Sequence, residues 1–205
     1  MRYPEKQFEP QFSEPEEEPV TEKETESEKD PEQEFLRNKI NLVSGIFRSF
    51  RFIDNERKRH RLDPFFELDY SKQYIKELIP VRYPEDQKLT REDLHKTENK
   101  VLELTLEIAD QILQPKPMKT SVRENPELLK QIYLPLKKGE QLLMNMQEER
   151  PQEVQELFKK ILIEHKGISK EKIKPEQIKQ LADSIRNAYG FIYRKGKALE
   201  NYFKK

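Results

Sequence analysis

Val101-Leu102-Glu103-Leu104-Thr105-Leu106-Glu107-Ile108 decides the fold, because two periodicities compete within it. Read in twos, its apolar residues would line one face of a strand; read at 100° per residue, they wrap most of a helix. Length and capping favour the helix. Thr90-Arg91-Glu92-Asp93 places a carboxylate three residues after a threonine, a capping box with Asp in place of Glu, and the pattern it opens continues to Leu113. On that helix the apolar side chains span about 200°, leaving Lys100, Glu103, Glu107 and Asp110 on one narrow edge expected to face water. A helix apolar over so much of its circumference belongs at the centre of a bundle.

Prolines punctuate the chain on either side. Pro31 to Leu62 reads as a helix with Leu36, Ile40, Val43, Phe47 and Phe50 on one stripe, widened by Leu42, Ile46 and Ile53. A shorter helix is expected over Glu67–Ile79, with Leu68, Ile75 and Leu78 inward and Pro80 setting its end. Asn125-Pro126 is an N-cap followed by proline at the first helical position, opening a helix through Leu128, Leu129, Ile132 and Leu136 to Met146. Pro135 is expected to kink or divide it. Pro151 opens a helix carrying Val154, Leu157, Phe158, Ile161 and Leu162; His165 and Lys166 end it, and Gly167 is placed for a left-handed cap. Pro175 starts the last helix, which runs towards the C-terminus through Ile178, Leu181, Ile185, Tyr189 and Ile192. The fold expected is all-α, about six helices in one bundle-like domain over 35–205, with a candidate subdivision near 115–125.

Residues 1–34 differ in kind. They hold five prolines and five hydrophobic residues, too little apolar surface to offset an ordering cost of roughly 1–2 kcal/mol per residue, so a disordered acidic arm is expected. Thirteen acids and four bases give the arm a net charge of −9, and the rest of the chain carries +9. The formal neutrality of the whole hides this division, which suggests a body that binds an anion and an arm that competes with it. Tyr3, Phe8 and Phe12, set among prolines and carboxylates, also suit a short motif that docks on a protein partner.

The positive charge has two centres. Phe35–Leu62 holds eight Lys/Arg against two acids, with Arg37, Arg48, Arg51 and Arg59 within roughly 80° of one another and Arg57, Lys58, Arg59 and Arg61 closing the run. Such a run can also serve as a nuclear-import signal. Residues 166–205 hold eleven Lys/Arg against four acids. There Lys179, Arg186 and Lys197 recur on one side, while Tyr193 and Tyr202 interleave with Arg194, Lys195 and Lys197. Basic faces with aromatic neighbours are what phosphate contact and base stacking require. The same residues serve equally as solvated faces, dipole partners and core tyrosines in a helix bundle.

Other chemistries find little support. The chain has no cysteine, which removes disulfides, thiolate nucleophiles and Cys-based metal sites. His60, His95 and His165 lie on separate segments and lack metal-ligand spacing, and neither a P-loop nor a nucleophile elbow occurs. No enzyme activity, cofactor or metal is expected. No leader or membrane-spanning run is evident, so a soluble intracellular protein of the cytoplasm or nucleoid, or of the nucleus in a eukaryote, is expected. The function expected is non-catalytic nucleic-acid binding, DNA or RNA, through phosphates, with an arm that modulates it or recruits a partner. The alternative is a helical adaptor or assembly subunit that binds only proteins.

Overall fold

The computed structural model describes residues 30–60, 66, 75, 78, 87–113 and 126–203, with the side chains at 126, 199, 200, 202 and 203 excepted. Five long helices account for most of them: α1 (Pro31–Arg59), α2 (Arg91–Leu113), α3 (Pro126–Glu149), α4 (Pro151–Glu164) and α5 (Pro175–Phe203). A short 3₁₀ turn, Lys170–Lys172, precedes α5, and no strand occurs among the described residues. Of the helix expected over Glu67–Ile79, Ile75 and Leu78 lie within the described set, and both are helical and buried.

Local chemistry sets the helix ends. The Asp30 carboxylate accepts the Glu32 N–H at 3.0 Å, and Pro31 sits at the first turn of α1, where its missing N–H costs nothing. The capping box of α2 forms as its sequence implies: Thr90 N–H donates to Asp93 Oδ2 at 2.9 Å and Asp93 N–H to Thr90 Oγ1 at 3.2 Å. The Thr90 hydroxyl also donates to Asp93, and these bonds hold the Asp93 carboxyl below its ordinary pKa. Gly167 takes φ +64° after α4, and the 163–168 hydrogen bonds close the turn: Gly167 N–H to Ile163 O and Ile168 N–H to Leu162 O, each at 3.1 Å.

The helix that decided the reading is central. α2 packs against each of the other four helices, and Val101, Leu102, Leu104, Leu106, Ile108 and Ala109 are almost wholly removed from solvent. α3 also packs against all four. Where α2 and α3 cross, a Cβ on Gly139 would overlap the Thr105 methyl, so the approach depends on glycine. Buried residues of all five helices belong to one apolar cluster, and Leu36, Ile40, Leu89 and Leu94 form a small second one where α1 meets the start of α2.

Pro135 neither ends nor divides its helix: α3 is continuous from Pro126 to Glu149. An interior proline costs roughly 3 kcal/mol. Burial of Leu128, Leu129, Ile132, Leu136, Leu142, Leu143 and Met146 along one face outweighs it, at about 1.5–3 kcal/mol for each fully buried side chain. α1, expected to reach Leu62, closes at Arg59 with His60 as its cap. No helix among the described residues is long and apolar enough to cross a membrane.

Candidate functional site

The basic face of α1 is present but partly engaged. Arg48 and Arg59 are exposed, Arg37 and Arg51 half-buried, and Lys58 exposed at the helix end. Arg37 donates to the Gln87 carbonyl and Arg48 to the Asn41 carbonyl, each at 2.7 Å, and Arg59 pairs with Glu56 at 2.5 Å. Arg57 departs from the expected outward run, being only 9% exposed. It follows Phe50 by seven residues and Ile53 by four, which puts it on the buried stripe; consecutive residues of a helix cannot all face out. Phe52, by contrast, is 57% exposed four residues after Arg48, so this face carries an unburied aromatic as well as cations. Arg61, Tyr3, Phe8 and Phe12 lie outside the described residues.

α5 gathers more. Lys179, Arg186, Tyr193 and Lys197 follow one another at seven, seven and four residues and share one exposed side. Arg194 and Lys195 are exposed on adjoining sides, Lys195 lying 5.7 Å over the Phe191 ring. Arg186 donates to Glu140 of α3 at 2.7 Å. No carboxylate among the described residues pairs with Lys179, Arg194 or Lys197.

α3 lies antiparallel to α5 and completes the site. Tyr133 meets Tyr189 edge-on at 5.7 Å and Tyr193 at 5.6 Å with a tilt of 38°. Burial, then a hydrogen bond to the Glu140 carboxylate, push the Tyr189 hydroxyl above its ordinary pKa. Tyr193 remains 53% exposed. It stands over a recess of about 250 Å³ walled by Leu129, Tyr133 and Ile192, with exposed Lys130 and Lys197 beside it. Lys130 and Tyr133 were invisible as site residues in the sequence. Their i, i+3 spacing marks a shared helix face, but nothing local says that the face meets Tyr193.

A second concavity, about 640 Å³, runs between α3, α4 and α5. Leu143, Met144, Val154, Phe158 and Ile178 line it, Lys179 and Arg186 stand at its edge, and Met144 is 53% exposed.

The polar edge of α2 departs from expectation at Glu103. Glu103 is buried, and its carboxylate meets His165 Nε2 at 2.9 Å; Asp110 pairs with Lys166 at 2.8 Å. One turn before this edge, buried Glu98 pairs with Arg150 at 2.5 Å, and Arg150 also reaches Glu153 at 2.6 Å. The pairs occur in the same order along both segments, so α4 lies parallel to α2 and presents a cation at each end. That docking buries Glu103, while Lys100, Glu107 and Asp110 keep part of their surface in water. Burial raises the Glu98 carboxyl above its ordinary pKa against the pull of Arg150.

The polar residues of the two concavities are amines, guanidinium groups, amides and carboxylates, with the tyrosines. Compared with family models, curated proteins and solved structures, the chain matches none.

Proposed function

We propose that this protein binds single-stranded nucleic acid without catalysing a reaction, using the C-terminal half of α5 and the facing side of α3. The observation that carries the reading is Tyr193, half-exposed over the Tyr133 recess between Lys130 and Lys197. An aromatic face flanked by cations suits a base stacked on the ring while its neighbouring phosphates meet the amines. Arg194 and Lys179 extend the positive path along α5, and the outer face of α1, with Arg48, Arg51, Lys58, Arg59 and Phe52, offers a second contact surface. Duplexes offer phosphates but no free base faces, so the preference is for unpaired strands.

The arm fits this reading as a competitor. Ahead of the α1 cap, residues 1–29 hold ten acids and four bases, a net of −6 that matches the +6 on residues 30–205, and a carboxylate-rich segment tethered to the same molecule weakens a salt-sensitive anion site.

The experiment is a binding titration of the full chain with labelled single- and double-stranded oligonucleotides, repeated with Tyr193→Ala and with Glu14, Glu16, Glu17 and Glu18 changed together to Gln. Loss of the single-strand preference in Tyr193→Ala, and tighter binding by the neutralised arm, are the expected results. Equal binding of both strand types by wild type and Tyr193→Ala would contradict the stacking role.

One observation favours the adaptor reading instead: the groove between α3, α4 and α5, where Leu143, Val154 and Phe158 meet an exposed Met144 beside charged residues, suits an amphipathic protein segment. A protein bound there would be insensitive to salt and to Tyr193→Ala.

A further inference from the structure

Glu103 is the one carboxylate of the α2 polar edge that is nearly sealed from solvent, at 5% exposure, and the group facing it is an imidazole rather than a permanent cation. Glu164, the residue before His165, brings a second carboxylate. Ligand atoms of Glu103, Glu164 and His165 all lie within 4.8 Å of one another. We propose that these three residues form a binding site for a borderline divalent cation of the zinc class, independent of the nucleic-acid surface on α3 and α5.

The geometry needs little adjustment. Zinc takes His nitrogen and carboxylate oxygen at about 2.0–2.2 Å, so two such atoms on one tetrahedral ion stand about 3.3 Å apart. The Glu103–His165 pair at 2.9 Å has to open by only about 0.4 Å. Glu164 supplies the movable ligand: its side chain is half-exposed, and it pairs with Lys160 at 3.7 Å, a contact that surface solvation keeps weak. Backbone structure supports the pair from both sides. Glu103 rises from the rigid middle of α2, and His165 is fixed as the α4 cap by its N–H bond to the Ile161 carbonyl at 2.9 Å. A cation at that end also meets the negative pole of α4.

The ligand set selects the ion class. Neutral imidazole with two carboxylates suits zinc, cobalt or nickel better than magnesium or calcium, which prefer all-oxygen shells. Three protein ligands leave a fourth position for water. Ion binding takes the Nε2 lone pair of His165, so the ring's single N–H sits on Nδ1 in the bound state.

The full chain is titrated with ZnCl2 by calorimetry and with CoCl2 by visible absorption. One ion per chain is expected, with a cobalt spectrum of reduced coordination number. His165→Gln should weaken zinc at least tenfold. Because a change beside a buried carboxylate can disturb folding, the exposed Glu164→Gln is the second variant, also expected to lose tenfold or more while retaining the wild-type circular dichroism. His60→Gln and His95→Gln should bind as wild type. No one-to-one binding, wild-type affinity in both Glu164→Gln and His165→Gln, or loss of binding in His60→Gln or His95→Gln would each overturn the site.

Discussion

The polar edge of α2 and the basic side of α5 look alike on a helical wheel, yet the fold treats them oppositely. Along α2, Glu98, Glu103 and Asp110 each meet a cationic or imidazole partner from Arg150, His165 or Lys166. Along α5, Lys179, Arg194 and Lys197 have no carboxylate among the described residues, and an aromatic recess opens beside them. A charged helix edge is structural where a neighbouring helix brings the opposite sign. It is available for a ligand where the neighbour brings rings and more cations.

The sharpest break in this contrast comes from deleting one charge in each region. Arg150→Ala leaves Glu98 buried without its main partner, and a loss of about 3–5 kcal/mol in denaturant unfolding is expected. Lys197→Ala, on the exposed side, should fall within about 0.5 kcal/mol of wild type in the same assay. Equal effects would mean that the two edges do not differ as described.

Next in size is the crossing that fixes α2 against α3. Gly139→Ala forces a methyl into Thr105 and should cost about 1–3 kcal/mol. Thr105→Ala removes the opposing methyl, so the double variant should recover part of that loss. Strict additivity in the double-mutant cycle would show that the two residues do not meet.

Tyr193→Ala should leave stability nearly intact but remove about 1–3 kcal/mol of single-strand binding, the worth of one stacked base, in a fluorescence titration. The smallest effect concerns the α2 cap. Asp93 has its folded pKa depressed below 3.8, so its contribution is complete above that unfolded value and lost as pH falls through the lower folded one. Thr90→Ala should cost about 0.5–2 kcal/mol at neutral pH and flatten the stability profile below about pH 4.

Much of the fold was legible because its signals are local. Thr90 and Asp93, Pro151, Gly167 and Pro175 each set a boundary through the chemistry of one turn, α3 opens at Pro126, and the wide apolar arc of 101–108 marked the central helix. Pro135 does not divide α3, because its cost is local while the compensation comes from burial along the whole helix. The candidate site was half legible. Helical spacing placed Lys179, Arg186 and Lys197 on one side, but the union of Tyr133 with Tyr193 and the pairing of Glu103 with His165 depend on which helices become neighbours. Arg57 shows the opposite error: a run of bases in the sequence became, at 100° per residue, one buried and two exposed side chains over residues 57–59.

The central claim is that exposed cations on α5 and α3 neutralise phosphates. It is tested most directly by the salt dependence of single-strand binding between about 50 and 200 mM for wild type and for Lys197→Glu with Arg194→Glu. Four contacts predict a log–log slope of about −3 for wild type, and the double variant should bind more weakly with a slope shallower by about 1–2. A slope near zero, or an unchanged slope in the variant, would contradict the account.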